Sequence, residues 1–385
     1  MIAAFVRTFN MEKQVHICLD IQSAIAQRAG IGRYTRMLAI HLSELRGTDE
    51  ISGFYFDFRR RADTNLPAGL RARAVRWLPG QLVQQAWKRL GWPPFDSLAG
   101  PADVYHFPNF IVPPLRRGRA VVTIHDLSFI RHPDCAETRN LAYLRARLNR
   151  TVARADAIIT DSNFCAAEME EMLPECRGKV TAVPLGIGSE FAEPSADVVI
   201  TERLLRGLER PYILSVGTLE PRKNYTFLIE VFERLGGFDG DLVIVGRPGW
   251  KYEAILERMR NSPRAARIRW LADAADGELP LLYAGAELML FPSLYEGFGF
   301  PPLEAMACGT PVVASAGGSL PEVLGDGARI IPEFDSEAWS AAVSNLLDDR
   351  KLRMELVARG RVRAAQYTWH ETARRTWDVY RGVVA

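Results

Sequence analysis

Residues 292–315 read PSLYEGFGFPPLEAMACGTPVVAS and follow the apolar run 288–291, which predicts a buried strand. A glycine-rich turn comes next at 296–299, and Pro301 and Pro302 then begin a helix, where a missing N–H costs little. The turn therefore presents free backbone N–H groups and a helix N-terminus to one spot, which suits an anion.

The same alternation of short apolar runs and helical patterns extends along the chain, and it predicts βαβ units with parallel sheets. We predict strands at 15–21, 104–107, 120–124, 157–160, 180–183, 212–216, 241–245, 268–271, 288–291 and 312–314, and helices at 32–44, 140–153, 163–173, 224–235, 252–260, 278–285 and 301–308. Residues 186–210 contain Pro194 and no strand pattern, so the domain boundary is expected there. Two Rossmann-like halves in series predict a ligand cleft beyond the carboxyl ends of their strands.

Composition narrows the class of protein. The 385 residues are 48% hydrophobic and 24% charged, which excludes a largely disordered or fibrous chain. A net charge of +2 gives no reason to expect a nucleic-acid partner. No apolar run approaches the ~20 residues of a membrane span, and the opening residues lack a signal-peptide core, so a cytoplasmic protein is expected. The five cysteines form no CxxC pair and are expected to be reduced thiols.

Charged residues mark two predicted strand ends. Glu296 lies in the turn and Glu304 on the following helix, with seven residues between them, and sugar or ribose hydroxyls are natural donors to such carboxylates. Gly217 ends strand 212–216, and Arg222 and Lys223 precede the next helix, where they could grip a phosphate. The alternative is that the acids are a solvated loop charge and a helix-dipole charge, and that the cations are solvated.

The first half carries weaker signals. Gly30 and Gly32 open the first long helix but form only part of a dinucleotide fingerprint, so a flexible β–α turn is the alternative. His125 ends a strand and could face a substrate, or its ring could be satisfied by backbone, and His106 is a weaker acceptor-side candidate. No zinc spacing exists, and the acidic pair Asp239 and Asp241 precedes its strand, so no metal ligand is predicted.

Together these segments resemble the retaining GT-B glycosyltransferases of family 4. The block EGFGFPPLE at 296–304 is similar to that family's E-x7-E motif, and GTPVVAS, GTLEPRKN, GIGRY and TIHDLSF continue the resemblance across both halves. The implied fold is α/β GT-B, with two Rossmann-like domains facing across a cleft and a C-terminal helix crossing back to the first domain. Its expected parts are an acceptor-side domain at 1–193, a nucleotide-sugar domain at 194–365 and a closing helix at 366–385.

The resemblance also implies roles for residues. Glu296 would contact the donor sugar and Glu304 the nucleotide ribose, while Arg222 and Lys223 would hold the diphosphate and His125 would face the sugar. Donor-binding positions would be Gly30, Gly32, Gly217, Phe298, Gly299 and Glu304, and the catalytic set would be His125, Glu296, Arg222 and Lys223. Two departures from the family stand out: Thr218 replaces a frequent arginine, and LADAAD at 271–276 replaces a glycine-containing turn.

The implied reaction is retaining transfer of a hexose by front-face attack, in which the leaving diphosphate oxygen takes the acceptor's proton. The expected donor is GDP-mannose, with UDP-glucose next, and no metal is required. The expected acceptor is a glycan or lipid-linked glycan in polysaccharide or lipopolysaccharide biosynthesis. A nucleotide-sugar-binding protein without turnover and a dinucleotide oxidoreductase remain as alternatives, although the latter would need a complete GxGxxG turn.

Two further segments are open to two interpretations each. Residues 64–95 contain no acid but five basic residues and three tryptophans, Trp77, Trp87 and Trp92. They form either a patch that docks peripherally on anionic lipid at the inner face of the cell membrane, or a solvated face whose tryptophans are core residues. Residues 366–380 are either the closing helix that crosses to the first domain or an ordinary terminal helix of the second.

Overall fold

The computed structural model describes residues 14–27, 30–60, 70–135, 138–272 and 274–385, without the side chains of 138–144 and 276. Five segments lie outside the described residues: 1–13, Arg28 and Ala29 of the first β–α turn, 61–69 with the start of the basic stretch 64–95, 136–137, and Asp273 of LADAAD.

The first sheet is parallel and buried at its centre. Its strands are β1 (His16–Asp20), β2 (Glu50–Phe56), β3 (Arg71–Val75), β4 (Val104–Phe107), β5 (Arg119–Thr123), β6 (Ala157–Thr160) and β7 (Val180–Ala182). They lie in the order β3-β2-β1-β4-β5-β6-β7. Strands β4 and β6 are buried at every residue, because helices cover both faces of a parallel sheet.

Helices connect these strands and cover the sheet. They are α1 (Gln22–Ala26), α2 (Ile31–Leu45), α3 (Gly80–Arg89), α4 (Phe95–Ala99), α5 (Ser128–Arg131), α6 (Thr138–Arg154) and α7 (Asn163–Met172). In helix α2, Tyr34, Leu38 and Leu42 are buried and lie four residues apart, on one face of the helix. This spacing of apolar residues is the pattern from which the helix was predicted.

The second sheet repeats the architecture. Its strands are β8 (Tyr212–Val216), β9 (Asp241–Val245), β10 (Ile268–Leu271), β11 (Leu288–Phe291), β12 (Val312–Ser315) and β13 (Arg329–Ile331), in the order β10-β9-β8-β11-β12-β13. Its strand pairs are parallel. Strands β8, β9 and β11 are fully buried, and Trp339 and Phe232 fill the core on one face of this sheet.

Nine helices of the described residues accompany the second sheet and the chain end. They are α8 (Ala196–Leu205), α9 (Tyr225–Arg234), α10 (Glu253–Arg260), α11 (Leu279–Ala284), α12 (Phe300–Ala307), α13 (Leu320–Leu324), α14 (Ser336–Asp348), α15 (Arg350–Ala364) and α16 (Trp369–Val384). Across the described ranges, each helix is too short or too polar to traverse a lipid bilayer.

The chain separates into two compact units by its internal contacts. The first unit holds Met1–Val122, Arg154–Ala157 and Trp377–Ala385, and the second holds Thr123–Ala153 and Ile158–Thr376. Helix α16 thus contributes its last turns to the first unit, where the Tyr380 hydroxyl lies 2.6 Å from Nδ1 of His106. The helix therefore begins in the second unit and ends in the first, while the predicted bounds of the closing helix and of the two domains stay a prediction.

Most strands predicted from apolar runs are confirmed, and 104–107, 157–160, 212–216, 241–245, 268–271 and 288–291 have the observed bounds. The pattern missed β2, β3 and β13, and it missed α8 inside the boundary segment 186–210. Strand β3 reads RARAV, and its alanines are too small to stand out as an apolar run. All five cysteines are free thiols, as predicted.

Two interpretations are corrected. Among the three tryptophans of the basic stretch only Trp87 is a core residue, whereas Trp77 and Trp92 are 71% and 60% exposed. His106 is fully buried, so this strand-end histidine is a packing residue of the first unit and not an open acceptor-side group.

Candidate active site

The candidate site lies where β8 and β11 end side by side. These strands pair in parallel, with Met289 beside Leu214, so their carboxyl ends share one edge of the sheet. Strand β8 continues to β9 on one side and β11 to β12 on the other, so the strand order reverses between them. Ligands of open α/β sheets bind at this reversal. Gly217 follows β8 here, and Pro292 follows β11.

Two cations from the loop after β8 bind one carboxylate from the loop after β11. Nζ of Lys223 donates to Oε1 of Glu296 at 2.5 Å, and Nη1 of Arg222 donates to Oε2 at 2.9 Å. Arg222 also pairs with Glu220 at 2.7 Å and donates to the carbonyl oxygen of Tyr295 at 2.6 Å. The structure therefore brings Arg222, Lys223 and Glu296, three positions predicted from sequence, into one ion cluster.

Glu296 is ionised in this cluster in spite of its burial. The residue is 8% exposed, and burial by itself would raise the pKa of its carboxyl. Arg222 and Lys223 outweigh burial and lower that pKa to about 2. Oγ of Ser293 adds a donor to Oε1 at 2.5 Å. The carboxylate therefore keeps its charge at any pH near neutrality.

The turn after Glu296 requires its glycines. A Cβ at Gly297 would lie 2.4 Å from the carbonyl oxygen of His125, closer than any side chain tolerates. Gly299, at φ +111°, begins α12 in the left-handed region that favours glycine. The ring of Phe298 packs 5.5 Å from that of Tyr367, so its side chain anchors the turn in the core.

Glu304 lies on α12 and is 2% exposed. Its Oε2 accepts a hydrogen bond from the Tyr283 hydroxyl at 2.9 Å. A ribose would offer the same kind of donor, so this carboxylate is already oriented to accept from a hydroxyl.

His125 is oriented by a carboxylate that the sequence analysis did not single out. Nδ1 of His125 lies 2.8 Å from Oδ2 of Asp161, and the Asp161 side chain is 5% exposed. Burial raises the pKa of Asp161, and His125 opposes this shift. When Asp161 is ionised, Nδ1 of His125 carries a hydrogen and donates a hydrogen bond to the carboxylate. This bond fixes the orientation of the imidazole ring. Asp161 directly follows β6, so a search for acids at strand ends would have found it.

Tyr295 holds the loop that carries Glu296. Its hydroxyl donates to Oε2 of Glu168 on α7, and Oε1 of Glu168 accepts from Nε of Arg131 at 2.6 Å. Oγ of Ser162, which caps α7, donates to the carbonyl oxygen of Gly297 at 2.9 Å. No periodicity or motif spacing signalled these contacts, because the two that hold the Glu296 loop join residues more than a hundred positions apart and the pair of Arg131 and Glu168 joins residues 37 apart.

Gly30 and Gly32 belong to the first unit. Gly30 precedes α2 at φ +58°, and Gly32 is buried in the first turn of that helix. A Cβ on Gly32 would lie 2.1 Å from the carbonyl oxygen of Gln27. Both glycines are thus explained by the backbone of their own turn, and a donor-binding role for them stays a prediction.

Over the described residues, no group of three or more His, Cys, Asp or Glu side chains is arranged to hold a metal ion. The acidic pair Asp239 and Asp241 instead binds arginine: Arg267 lies 2.5 Å from Asp239 and 3.4 Å from Asp241. Metal-independent chemistry remains an expectation.

Comparison with known protein families finds two matches that divide the chain. Residues 28–191 match the family described as Glycosyltransferase Family 4, and residues 200–363 match Glycosyl transferases group 1.

Individual relatives agree with these matches. The chain is 31% identical over 371 residues to an Escherichia coli protein named O-antigen chain mannosyltransferase B, covering 91% of this chain and 96% of the relative. Sucrose-phosphate synthase from Thermosynechococcus elongatus superposes with a TM-score of 0.75 at 20% identity, covering 96% of this chain and 99% of that one. Anabaena HepE in complex with UDP-glucose superposes with a TM-score of 0.70 at 17% identity, covering 95% and 100%.

Replacing Tyr295 by phenylalanine tests how the Glu296 loop is held. The variant keeps the aromatic ring but removes the hydroxyl that donates a hydrogen bond to the buried Glu168 carboxylate. We expect the free energy of unfolding to fall by about 1–3 kcal/mol, measured by urea titration, because a buried acceptor loses its partner. Tyr252→Phe is the matched control, since the structure gives that hydroxyl no hydrogen bond among the described residues. Equal effects of the two changes would contradict the assigned role.

Proposed function

The chain belongs to glycosyltransferase family 4 and has the GT-B fold, and on that premise we propose that it transfers mannose, with retention of configuration, from GDP-mannose to a glycan acceptor in surface polysaccharide assembly. The observation that carries the proposal is the buried pairing of Glu296 with Arg222 and Lys223 at the reversal of the second sheet. The relative that is 31% identical over most of both chains supports the choice of mannose and of an O-antigen-type acceptor.

The two cations suit the diphosphate of the donor. Arg222 offers a planar fork and Lys223 a point charge, both recurrent phosphate ligands. Each is already held by a carboxylate, so binding does not have to order a flexible side chain, which lowers its entropic cost. Thr218 is exposed on the same loop and supplies no charge, so the phosphate contacts fall to Arg222 and Lys223.

Glu296 suits the sugar of the donor. Its Oε1 accepts from Lys223 and Ser293, whereas its Oε2 accepts from Arg222 alone among the described residues. Each carboxylate oxygen can accept about two hydrogen bonds. Oε2 therefore retains capacity for one more donor, such as a sugar hydroxyl.

The proposed step breaks the bond between the sugar's anomeric carbon and the diphosphate oxygen, and it forms a bond from that carbon to an acceptor oxygen on the same face. The acceptor's proton passes to the departing diphosphate oxygen. Charge builds up on the diphosphate as the bond breaks, and fixed cations stabilise that charge more strongly than water does. The pair of His125 and Asp161 presents an oriented ring to the reacting sugar, and no metal takes part.

Lys223→Ala and Glu296→Gln test the assignment. We expect either change to reduce the transfer rate about 10²–10³-fold, because each removes a charge contact that is fixed before reaction. Purified variants are assayed for mannosyl transfer, with circular dichroism to verify folding. Lys351→Ala, at a side chain 88% exposed on α15, is the matched control and should retain full activity. Near-normal turnover by a folded Lys223 or Glu296 variant would show the assignment to be wrong.

Thermal-shift screening against GDP-mannose, UDP-glucose and an ADP-sugar tests the donor. A ligand that binds only the folded chain at 100 times its Kd stabilises it by about 2.7 kcal/mol, so the preferred donor gives the largest shift. We expect GDP-mannose to rank first and transfer to persist with EDTA. A larger shift with UDP-glucose would show that UDP-glucose is the donor. Loss of transfer with EDTA would contradict the metal-free mechanism. Binding of a donor without turnover would favour the alternative of a nucleotide-sugar-binding protein.

We further propose that the acceptor is reached at an anionic lipid surface, through a patch around α3. Four large apolar side chains of this patch are 60–75% exposed: Trp77, Leu82, Leu90 and Trp92. Basic residues flank them in the sequence, with Arg71, Arg73, Arg76 and Arg89 all exposed. Buried Val83 and Trp87 anchor α3 in the first unit, so its opposite side remains outward. Trp77 precedes α3 and Trp92 follows it, and exposed aromatic rings with cations nearby in the sequence can bind an anionic lipid surface.

Sedimentation with anionic liposomes tests this patch. We expect binding at low salt that weakens at high salt, because the electrostatic part is screened. The double variant Trp77→Ser and Leu90→Ser should lose binding and keep its fold. The control, Leu204→Ser with Leu205→Ser, changes side chains that are 61% and 78% exposed on α8 and should bind normally. Absence of binding by the unaltered protein at low salt would remove the proposal.

A further inference from the structure

Residues 161–164 form a bridge segment between His125 and the glycine-rich turn after β11. Oδ2 of Asp161 lies 2.8 Å from Nδ1 of His125. The next residue, Ser162, is fully buried, and its Oγ donates to the carbonyl oxygen of Gly297 at 2.9 Å. The distance between the imidazole and the turn therefore depends on where the bridge segment lies.

Glu322 of α13 binds the bridge segment where α7 begins. Its Oε1 accepts from the backbone N–H and from the side-chain amide of Asn163, each at 2.9 Å. Its Oε2 accepts from the backbone N–H of Phe164 at 2.7 Å. The first N–H groups of a helix have no partner within the helix, and a carboxylate is attracted to the positive end of the helix dipole. One side chain of α13 thus holds the first two residues of α7.

Helix α13 is itself attached to the turn after β11. Ser319, which precedes α13, donates from its backbone N–H to the carbonyl oxygen of Glu296 at 2.9 Å. Its hydroxyl lies 3.0 Å from the same oxygen and 3.1 Å from the carbonyl oxygen of Phe298. A Cβ at Gly318 would lie 2.3 Å from the Glu296 oxygen, so the backbones meet closely here. The contacts close a ring: the turn holds α13, Glu322 on α13 holds the bridge segment, and the bridge segment holds the turn.

We propose that Glu322 is a positioning residue for the transfer reaction, and that it fixes His125 relative to Glu296 by holding the bridge segment. This deepens the proposed function and rests on it, because the role assigned is a role in that reaction. Groups that act on one sugar must be placed correctly relative to each other, and an error of about 1 Å can lower a rate about 10²-fold. Arg222 and Lys223 lie on the loop after β8, outside this ring of contacts, so donor binding should survive the loss of Glu322.

Steady-state transfer of mannose from GDP-mannose to mannotriose tests Glu322→Ala and Glu322→Gln. Alanine removes every acceptor that the side chain offers, whereas glutamine keeps one oxygen that can accept from Asn163. We expect kcat to fall about 10- to 100-fold in Glu322→Ala and by a smaller factor in Glu322→Gln. The thermal shift caused by GDP should be the same in both variants as in the wild type.

Asp335→Ala is the matched control. Asp335 caps α14, where its Oδ1 accepts from the backbone N–H of Glu337 at 3.1 Å, so this change also removes a carboxylate from a helix N-terminus. We expect it to lower the melting temperature, because a helix cap is lost, and to leave kcat unchanged.

A double-mutant cycle with Asp161→Asn tests the route by which Glu322 acts. If both residues act through the position of His125, the double variant should lose less kcat than the product of the two single losses. Losses in kcat that multiply would contradict a route through the bridge segment.

The outcomes separate this inference from the proposed function. With active wild-type protein, an unchanged kcat in both folded Glu322 variants overturns the inference alone, and Glu322→Gln decides if Glu322→Ala does not fold. An equal loss of kcat in Asp335→Ala also overturns it, since loss of any helix cap would then suffice. Loss of the GDP shift in a folded Glu322 variant does the same, because Glu322 would then serve donor binding. If the wild-type protein transfers mannose neither to mannotriose nor to a lipid-linked glycan extract, the proposed function and the inference both fail.

Discussion

The ion cluster of Glu296, Arg222 and Lys223 is the interaction on which the rest of this protein depends. Burying a charge is expensive, and burying one whose partner is missing is more expensive still. Each member of this cluster is therefore stable only while the loops after β8 and β11 stay side by side. The sheet edge and the site therefore depend on each other, because movement of either loop would leave a buried charge without its partner.

Three contacts hold the turn that carries Glu296 in place. Tyr295 is attached to Glu168, Gly297 lies against the backbone of His125, and Ser162 binds the carbonyl oxygen of Gly297. These contacts fix the turn from several directions, so Glu296 has one position and one charge state. A carboxylate held in this way can accept a hydroxyl without rearrangement, and rate acceleration by fixed charges depends on such preorganisation.

The two sheets share one pattern of strand order, with a reversal between β1 and β4 in the first sheet and between β8 and β11 in the second. At the second reversal, Arg222 and Lys223 lie beside the carboxylate of Glu296. In the proposed function, these two cations receive the diphosphate of the donor. The strand order supplies the position, and the side chains at that position decide which ligand it can bind.

Local sequence was enough to determine the parallel α/β class, most strands of both sheets and the family, because apolar runs, glycine turns and helix starts are encoded by adjacent residues. It also singled out Glu296, Arg222 and Lys223 as candidate site residues, since each lies in the loop that follows a recognisable strand. Only the tertiary structure decided that these three form one cluster, that Asp161 orients His125, and that Tyr295 reaches Glu168. It also decided that Trp87 is buried while Trp77 is exposed. The physical reason is that ion pairing and burial depend on which distant segments come into contact, and the spacing of residues along the chain does not determine those contacts.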